Sequence, residues 1–133
     1  MRITGLYAAL AALLIMILAV RVMLRRTSAK IGIGDGGDHE LHKRIRAHAN
    51  AVEYLPIGLI LLLLVELNQT AIVLVHVFGI CLLLGRVLHA LGLSRSSGIG
   101  AGRGLGILLS VLAITGMAVF LLWQYLVVAL VSA

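Results

Sequence analysis

Charge is scarce in this sequence and cysteine scarcer still, and each scarcity removes a class of protein. Only 12% of the residues are charged while 62% are hydrophobic; a soluble domain has about twice that charge and less apolar content. A chain of 133 residues forms one domain, and a domain that small cannot bury so much apolar side chain in its own core. The surplus must face lipid. The single cysteine, Cys81, excludes an intrachain disulfide framework. No stretch alternates apolar and polar residues with period two, so a β-barrel is excluded as well.

What is present is long apolar runs. Four stretches are long enough to cross a hydrocarbon core of roughly 30 Å, which takes about 20 helical residues. They fall at residues 3–24, 49–67, 71–93 and 105–131, with connections 25–48 and 94–104 between the first and second pairs. Helices satisfy their backbone groups internally, as lipid requires. The expected fold is therefore an all-α integral membrane bundle of four transmembrane helices in a single membrane domain, residues 1–133. The first run is followed by Arg21, Arg25 and Arg26 without a small-x-small cleavage site, so it reads as an uncleaved span and not a signal peptide.

The cations are unevenly placed. Arg21, Arg25, Arg26, Lys30, Lys43, Arg44 and Arg46 gather around the first connection, and Arg86, Arg95 and Arg103 around the third. The second connection, Glu66-Leu67-Asn68-Gln69, has none. By the positive-inside rule, connections one and three face the cytoplasm and both termini face away. The net charge of +6 is then a topology signal. The basic residues flank spans and lack interleaved aromatics, so no nucleic-acid partner is expected. The histidines show no ligand spacing with a carboxylate or thiol, and no metal site is expected. The glycines match neither a dinucleotide fingerprint nor a P-loop. In the first connection, Asp38 is placed to cap a helix beginning at His39, with Glu40 in its first turn.

Chemistry concentrates where the second span opens. On a helix Arg46, Asn50 and Glu53 stand at i, i+4 and i+7 and share one face, with Tyr54 beside it. Glu53 lies one to two turns inside the apolar span, where an isolated carboxylate is costly, so it should face a bundle interior or subunit interface beside a cation. A guanidinium, an amide and a carboxylate on one face suit a zwitterionic, peptide-like ligand. The same three residues would also serve to tie helices together. Pro56 follows one turn later, more suited to distorting the helix than to chemistry. Arg86 and His89 share a face late in the third span, where an arginine can snorkel to the headgroups and a histidine can cap a carbonyl. Arg103 opens the fourth helix, where it could bind an anion or stabilise a thiolate.

The segment Arg46-Ala47-His48-Ala49-Asn50-Ala51-Val52-Glu53-Tyr54-Leu55-Pro56, with Gly85-Arg86-Val87-Leu88-His89 late in the third span, resembles the signature of the MAPEG family, the membrane-associated proteins in eicosanoid and glutathione metabolism. The likeness covers essentially the whole chain, and the Gly34-Asp35-Gly36-Gly37-Asp38 loop resembles bacterial members. The resemblance implies a homotrimer with glutathione sites between subunits, opening toward the cytoplasm of a bacterial inner membrane. It implies glutathione contacts at Arg46, Asn50, Glu53, Tyr54, Arg86 and Arg25. It also implies a thiolate-stabilising role for Arg103, with Arg26 or Arg25 in reserve. Several eicosanoid-forming members carry a tyrosine where this chain has Leu93, which points away from a specialised eicosanoid synthase.

The implied activity is a glutathione transferase or peroxidase. A thiolate, the nucleophilic form, would attack a lipophilic electrophile or reduce a hydroperoxide arriving through the lipid. Two alternatives stand beside it. One is a glutathione-binding protein without catalysis, and the other a small multidrug transporter using Glu53 as its intramembrane ionisable group.

Overall fold

The structure is a computed structural model; it describes residues 2–95 and 100–131, without the side chain of Arg95. Its elements are four helices: α1 (Ile3–Ala29), α2 (His39–Leu67), α3 (Ile72–Arg95) and α4 (Ala101–Val131). Each is long and apolar enough to span a membrane, and no strand occurs among the described residues. Three of the helices outrun the apolar stretches at the basic end. α1 continues five residues past Leu24, α2 begins ten residues before Ala49, and α4 begins four residues before Leu105. Of the third connection, residues 96–99 lie outside the described residues.

Capping chemistry sets these ends. Asp38 is the N-cap of α2, and its Oδ1 accepts from the Glu40 and Leu41 N–H groups at 2.9 and 3.0 Å. α1 stops at Lys30, whose left-handed backbone (φ 56°) lets the Lys30 and Ile31 N–H groups return to the Thr27 and Arg26 carbonyls. Between these ends, Gly34, Gly36 and Gly37 all adopt positive φ, which glycine accepts without steric cost. Asp35 folds into the same loop, accepting from the Gly37 N–H at 3.1 Å and pairing with His42. α2 runs unbroken through Pro56.

The start of α1 is capped from a distance. No side chain near Arg2 satisfies its first turn. The Glu66 carboxylate, at the end of α2, accepts from the Ile3 and Thr4 N–H groups at 2.7 and 2.8 Å. A carboxylate there satisfies two orphan donors and complements the positive end of the helix dipole. One anion thus joins the two helices at the end of the molecule that has few charges.

In the bundle α1 packs on α2 and α3, and α4 packs on α3 and α2; α1 and α4 do not touch among the described residues. Leucine and alanine fill the centre, with Ala51, Leu55, Leu62, Leu82, Ala113 and Met117 almost fully buried. Leu13, Leu112, Val119 and many other apolar side chains point outward, as lipid contact demands. The tightest seam is α3 against α4. A methyl group at Gly92 would stand 2.6 Å from the Arg103 backbone nitrogen, and one at Gly106 would stand 2.6 Å from the Gly85 carbonyl. Glycine lets the two backbones meet directly, which in lipid replaces the missing hydrophobic drive for helix association.

Arg86 is locked into that seam. Its Nε donates to Ser110 Oγ at 2.8 Å and its Nη2 to the Gly106 carbonyl at 3.1 Å, while Ser110 Oγ donates to the same carbonyl at 3.0 Å. Arg86 is 2% exposed, so of the readings offered for it, snorkelling to the headgroups does not hold. The close helix seam gives it acceptors inside the bundle.

Three tests follow from these contacts. Ser110→Ala leaves a buried guanidinium one acceptor short and should lower stability by roughly 1–3 kcal/mol, read as a reduced melting temperature in detergent. Glu66→Gln should cost about 1 kcal/mol by weakening the cap on α1; an unchanged melting curve would show that the cap adds nothing. The Asp38 carboxyl is held below its ordinary value chiefly by the Leu41 N–H and also by Arg25, against a smaller opposing effect of desolvation. Its stabilising contribution is therefore complete above the ordinary carboxylate value and is lost as pH falls through the lower folded value. Asp38→Asn, which still caps, should flatten the acid limb of the stability profile below about pH 4.

Candidate functional site

The polar face of α2 borders a half-open cavity. Lys43, Arg46 and Asn50 form one wall of a cavity of about 340 Å³, with His89 and Leu93 of α3 and Arg103 of α4 opposite. His42 and Ile107 complete the lining. The spacing of Arg46 and Asn50 explains the α2 wall, since residues four apart sit one above the other on a helix; Asn50 Nδ2 also donates back to the Arg46 carbonyl at 2.9 Å. The α4 contribution depends on the glycine seam. Gly92 admits the first turn of α4 so closely that Arg103 is carried to the cavity edge.

The lining is cationic. Lys43, Arg46 and Arg103 bring three fixed positive groups, and no carboxylate is among the lining residues. Lys43 has a partner outside the lining, Glu40, at 2.8 Å. Arg46 and Arg103 form no ion pair among the described residues. Cations gathered around a half-enclosed space favour an anion, because the walls exclude part of the water that would screen them.

The structure thus brings together three of the sequence candidates: Arg46, Asn50 and Arg103. Two more lie directly beneath. Arg86, one turn before His89, stacks over the Tyr54 ring with its guanidinium carbon 4.5 Å from the centroid. Its Nη1 has no partner among the described residues. A flat cation over an aromatic face gains from the ring quadrupole, which gives Tyr54 a structural use as well.

Three candidates stand elsewhere. Glu53 is exposed on the outer surface of the chain and does not line the cavity. Positions 46 and 53 differ by only about 20° around the helix, so the separation is along the axis: Glu53 stands two turns deeper than Arg46, on the side of α2 away from its buried stripe of Ala47, Ala51 and Leu55. Arg25 pairs with Asp38, Nη2 to Oδ2 at 2.7 Å and Nε to Oδ2 at 2.9 Å. Arg26 Nη1 donates to the Gly32 and Gly34 carbonyls at 3.2 and 2.9 Å. Both arginines hold the first connection in shape, and neither lines the cavity of its own chain.

Sequence reasoning passed over Lys43 and His42 as site residues and gave His89 a bland part. His89 is 3% exposed and lines the cavity, and its ring caps no carbonyl among the described residues. The signal was available: His89 and Arg86 share a face, and one of the pair was already a candidate. Leu93, singled out for replacing a tyrosine, is in the cavity wall. Among the described residues no group of three or more His, Cys, Asp or Glu could hold a metal ion. The Arg95 side chain, placed by sequence with the Arg86 cluster, lies outside the described residues.

Comparison with known proteins fits this architecture. The model of the MAPEG family matches residues 4–123. The inner membrane protein YecN of Escherichia coli strain K12 is 44% identical over 90 residues, which cover 68% of this chain and 69% of that protein. YecN of Escherichia coli O6:H1 matches to the same extent. The matched region takes in all four helices, from the Glu66-capped start of α1 to the aromatic residues late in α4, and the chain belongs to the MAPEG family.

Proposed function

We propose that this protein is a glutathione-dependent membrane enzyme that activates the glutathione thiol for conjugation to lipophilic electrophiles or for reduction of hydroperoxides. The observation that carries the reading is the cavity: two arginines without an ion pair among the described residues, Arg46 and Arg103, with Lys43 and the Asn50 amide, around a space of about 340 Å³ without a lining carboxylate. Glutathione is a peptide with two carboxylates, one ammonium and one thiol. Arg46 and Lys43 serve its carboxylates and Asn50 its amide groups, each a charge-assisted or neutral hydrogen bond in a half-enclosed site.

Arg103 is the residue for the thiol. A guanidinium beside the sulfur stabilises the thiolate over the thiol, and the proton leaves to water at the cavity mouth. The thiolate then forms a carbon–sulfur bond as the electrophile's leaving group departs or its double bond takes up a proton. With a hydroperoxide it attacks the O–O bond, releasing an alcohol; a second glutathione converts the resulting sulfenic acid to disulfide and water. Leu93 and Ile107 give the cavity an apolar side facing the spans, suited to a substrate dissolved in lipid.

Glu53 supports an assembly. A carboxylate exposed on a single chain at membrane depth is costly, and a neighbouring copy would cover it and let it reach the ligand's ammonium. A homotrimer, with connections one and three in the cytoplasm, is the arrangement we adopt. In it Arg25 or Arg26 would reach the thiol only from a neighbouring copy. The same exposure weakens the transporter reading, because Glu53 stands outside the cationic cavity of its own chain.

Ultraviolet difference absorbance at the thiolate band, with detergent-solubilised protein titrated by glutathione near neutral pH, tests this. The parent should give a saturating signal. Arg103→Ala should bind with the thiolate signal lost and turnover lower by on the order of 10²-fold, and Arg46→Ala should weaken binding by roughly 1.5–3 kcal/mol. Binding without thiolate in the parent would instead leave a glutathione-binding protein without catalysis, a reading that Leu93 in place of a hydroxyl keeps in view. No binding would end the glutathione reading.

A further inference from the structure

The carboxylates of the first connection are all committed, and besides Arg46 in the cavity wall they leave two cations over. Asp38 pairs with Arg25, Glu40 with Lys43 and Arg44, and Asp35 with His42. Arg26 and Lys30, one turn apart at the end of α1, form no ion pair among the described residues. They share a groove of about 490 Å³ with Met23, Thr27, Ile31 and Gly32. We propose that this groove is a site for an anionic phospholipid, its phosphate held by Arg26 and Lys30 and its acyl chain laid along Met23.

Geometry supports the assignment. Arg26 is already fixed by two hydrogen bonds from a single nitrogen, Nη1, to the Gly32 and Gly34 carbonyls. Its Nε and Nη2 remain for an outside acceptor, on a side chain whose position costs no further ordering on binding. Lys30, the left-handed residue that ends α1, lines the same groove. The neighbours are what a lipid wants. Met23 and Leu24 are 63% and 64% exposed, and Ile33, in the loop, is 94% exposed. An isoleucine so bare is unfavourable in water but natural where headgroups meet acyl chains.

Depth supports it too. α1 is apolar from Ile3 to Leu24 apart from Arg21, and then turns basic, so its last turn sits at the headgroup level. A zwitterionic lipid brings its own cation next to the phosphate, which offsets the attraction; an anionic lipid does not, and basic pockets at this level select for it. The groove is separate from the cationic cavity, since α1 does not touch α4, which carries Arg103, among the described residues.

The test uses the intact protein in detergent, with phosphatidylglycerol or phosphatidylethanolamine of matched chains added and bound lipid counted by native mass spectrometry. Phosphatidylglycerol should bind more tightly, and each cation removed should weaken it roughly fivefold. Arg26→Gln also disturbs the loop, so Lys30→Asn gives the cleaner reading, because asparagine tolerates the left-handed backbone at that position. Arg2→Gln removes an equal charge at the opposite end and should leave phosphatidylglycerol binding unchanged. Equal binding of the two lipids by the parent overturns the proposal, as does equal weakening by Arg2→Gln, which would reduce the effect to net charge. So does loss of the glutathione thiolate signal in Arg26→Gln with phosphatidylglycerol binding intact, an outcome that would place Arg26 at a neighbouring copy's thiol site.

Discussion

A guanidinium sealed between two helices in a membrane needs acceptors, and the bundle is arranged around supplying them to Arg86. Water cannot reach it and no carboxylate approaches it, so its partners are a hydroxyl, a carbonyl and the face of an aromatic ring. Those partners come from two other helices, Ser110 and Gly106 from α4 and Tyr54 from α2. Ser110 and the Gly106 carbonyl are within reach only because α3 and α4 touch backbone to backbone. The glycines at 85, 92 and 106 are therefore as necessary to the cation as the atoms that bond it. The same close approach carries Arg103 toward His89 and so shapes the cavity one turn further along.

The five carboxylates are divided unequally between structure and whatever else the protein does. Glu66 caps α1, Asp38 caps α2 and holds Arg25, and Asp35 and Glu40 steady the first connection through His42, Lys43 and Arg44. Only Glu53 is left, and it points away from its own chain's cations. The cations divide in the opposite sense. Arg25, Lys43 and Arg44 have anionic partners, and Arg21 donates to Ser94. Arg46 and Arg103 face a half-enclosed space and Arg26 and Lys30 an open groove, and neither pair has an anion among the described residues. Like charges gathered in this way repel one another, and a bound anion would relieve both gatherings.

Much of this was legible in the sequence and some of it was not. The four helices follow from apolar run length, and the start of α2 from one aspartate placed before a helical stretch. Arg46 and Asn50 were found because spacing on one helix is a local property. Glu53 came with them on the same rule, but it stands two turns deeper and exposed on its own chain, so spacing on one helix does not say what covers it. The distal cap is the sharper case. Nothing near Ile3 announces Glu66, since a contact between residues more than sixty apart is a property of the assembled bundle. Arg86 was noticed as a candidate ligand contact, with snorkelling to the headgroups as its bland alternative; its burial rests on the glycine seam, a relation between two helices that spacing on one helix does not show.

The cavity's position follows from these constraints more than from any one motif. Deeper in the bundle, the space between α2, α3 and α4 is filled by Leu55, Leu82 and Ala113, so an opening for a polar ligand can exist only above the Arg86 layer. At that level α2 is still a helix because Asp38 caps it far outside the apolar span, and a helix that began at Ala49 would have offered neither Lys43 nor Arg46. Extending α2 by about three turns converts a flexible basic loop into a rigid wall of spaced donors. A wall of that kind binds without the ordering cost that a loop would incur, and it holds its cations at fixed distances from Arg103. Those distances decide whether a bound anion merely neutralises the site or has one of its atoms placed for reaction.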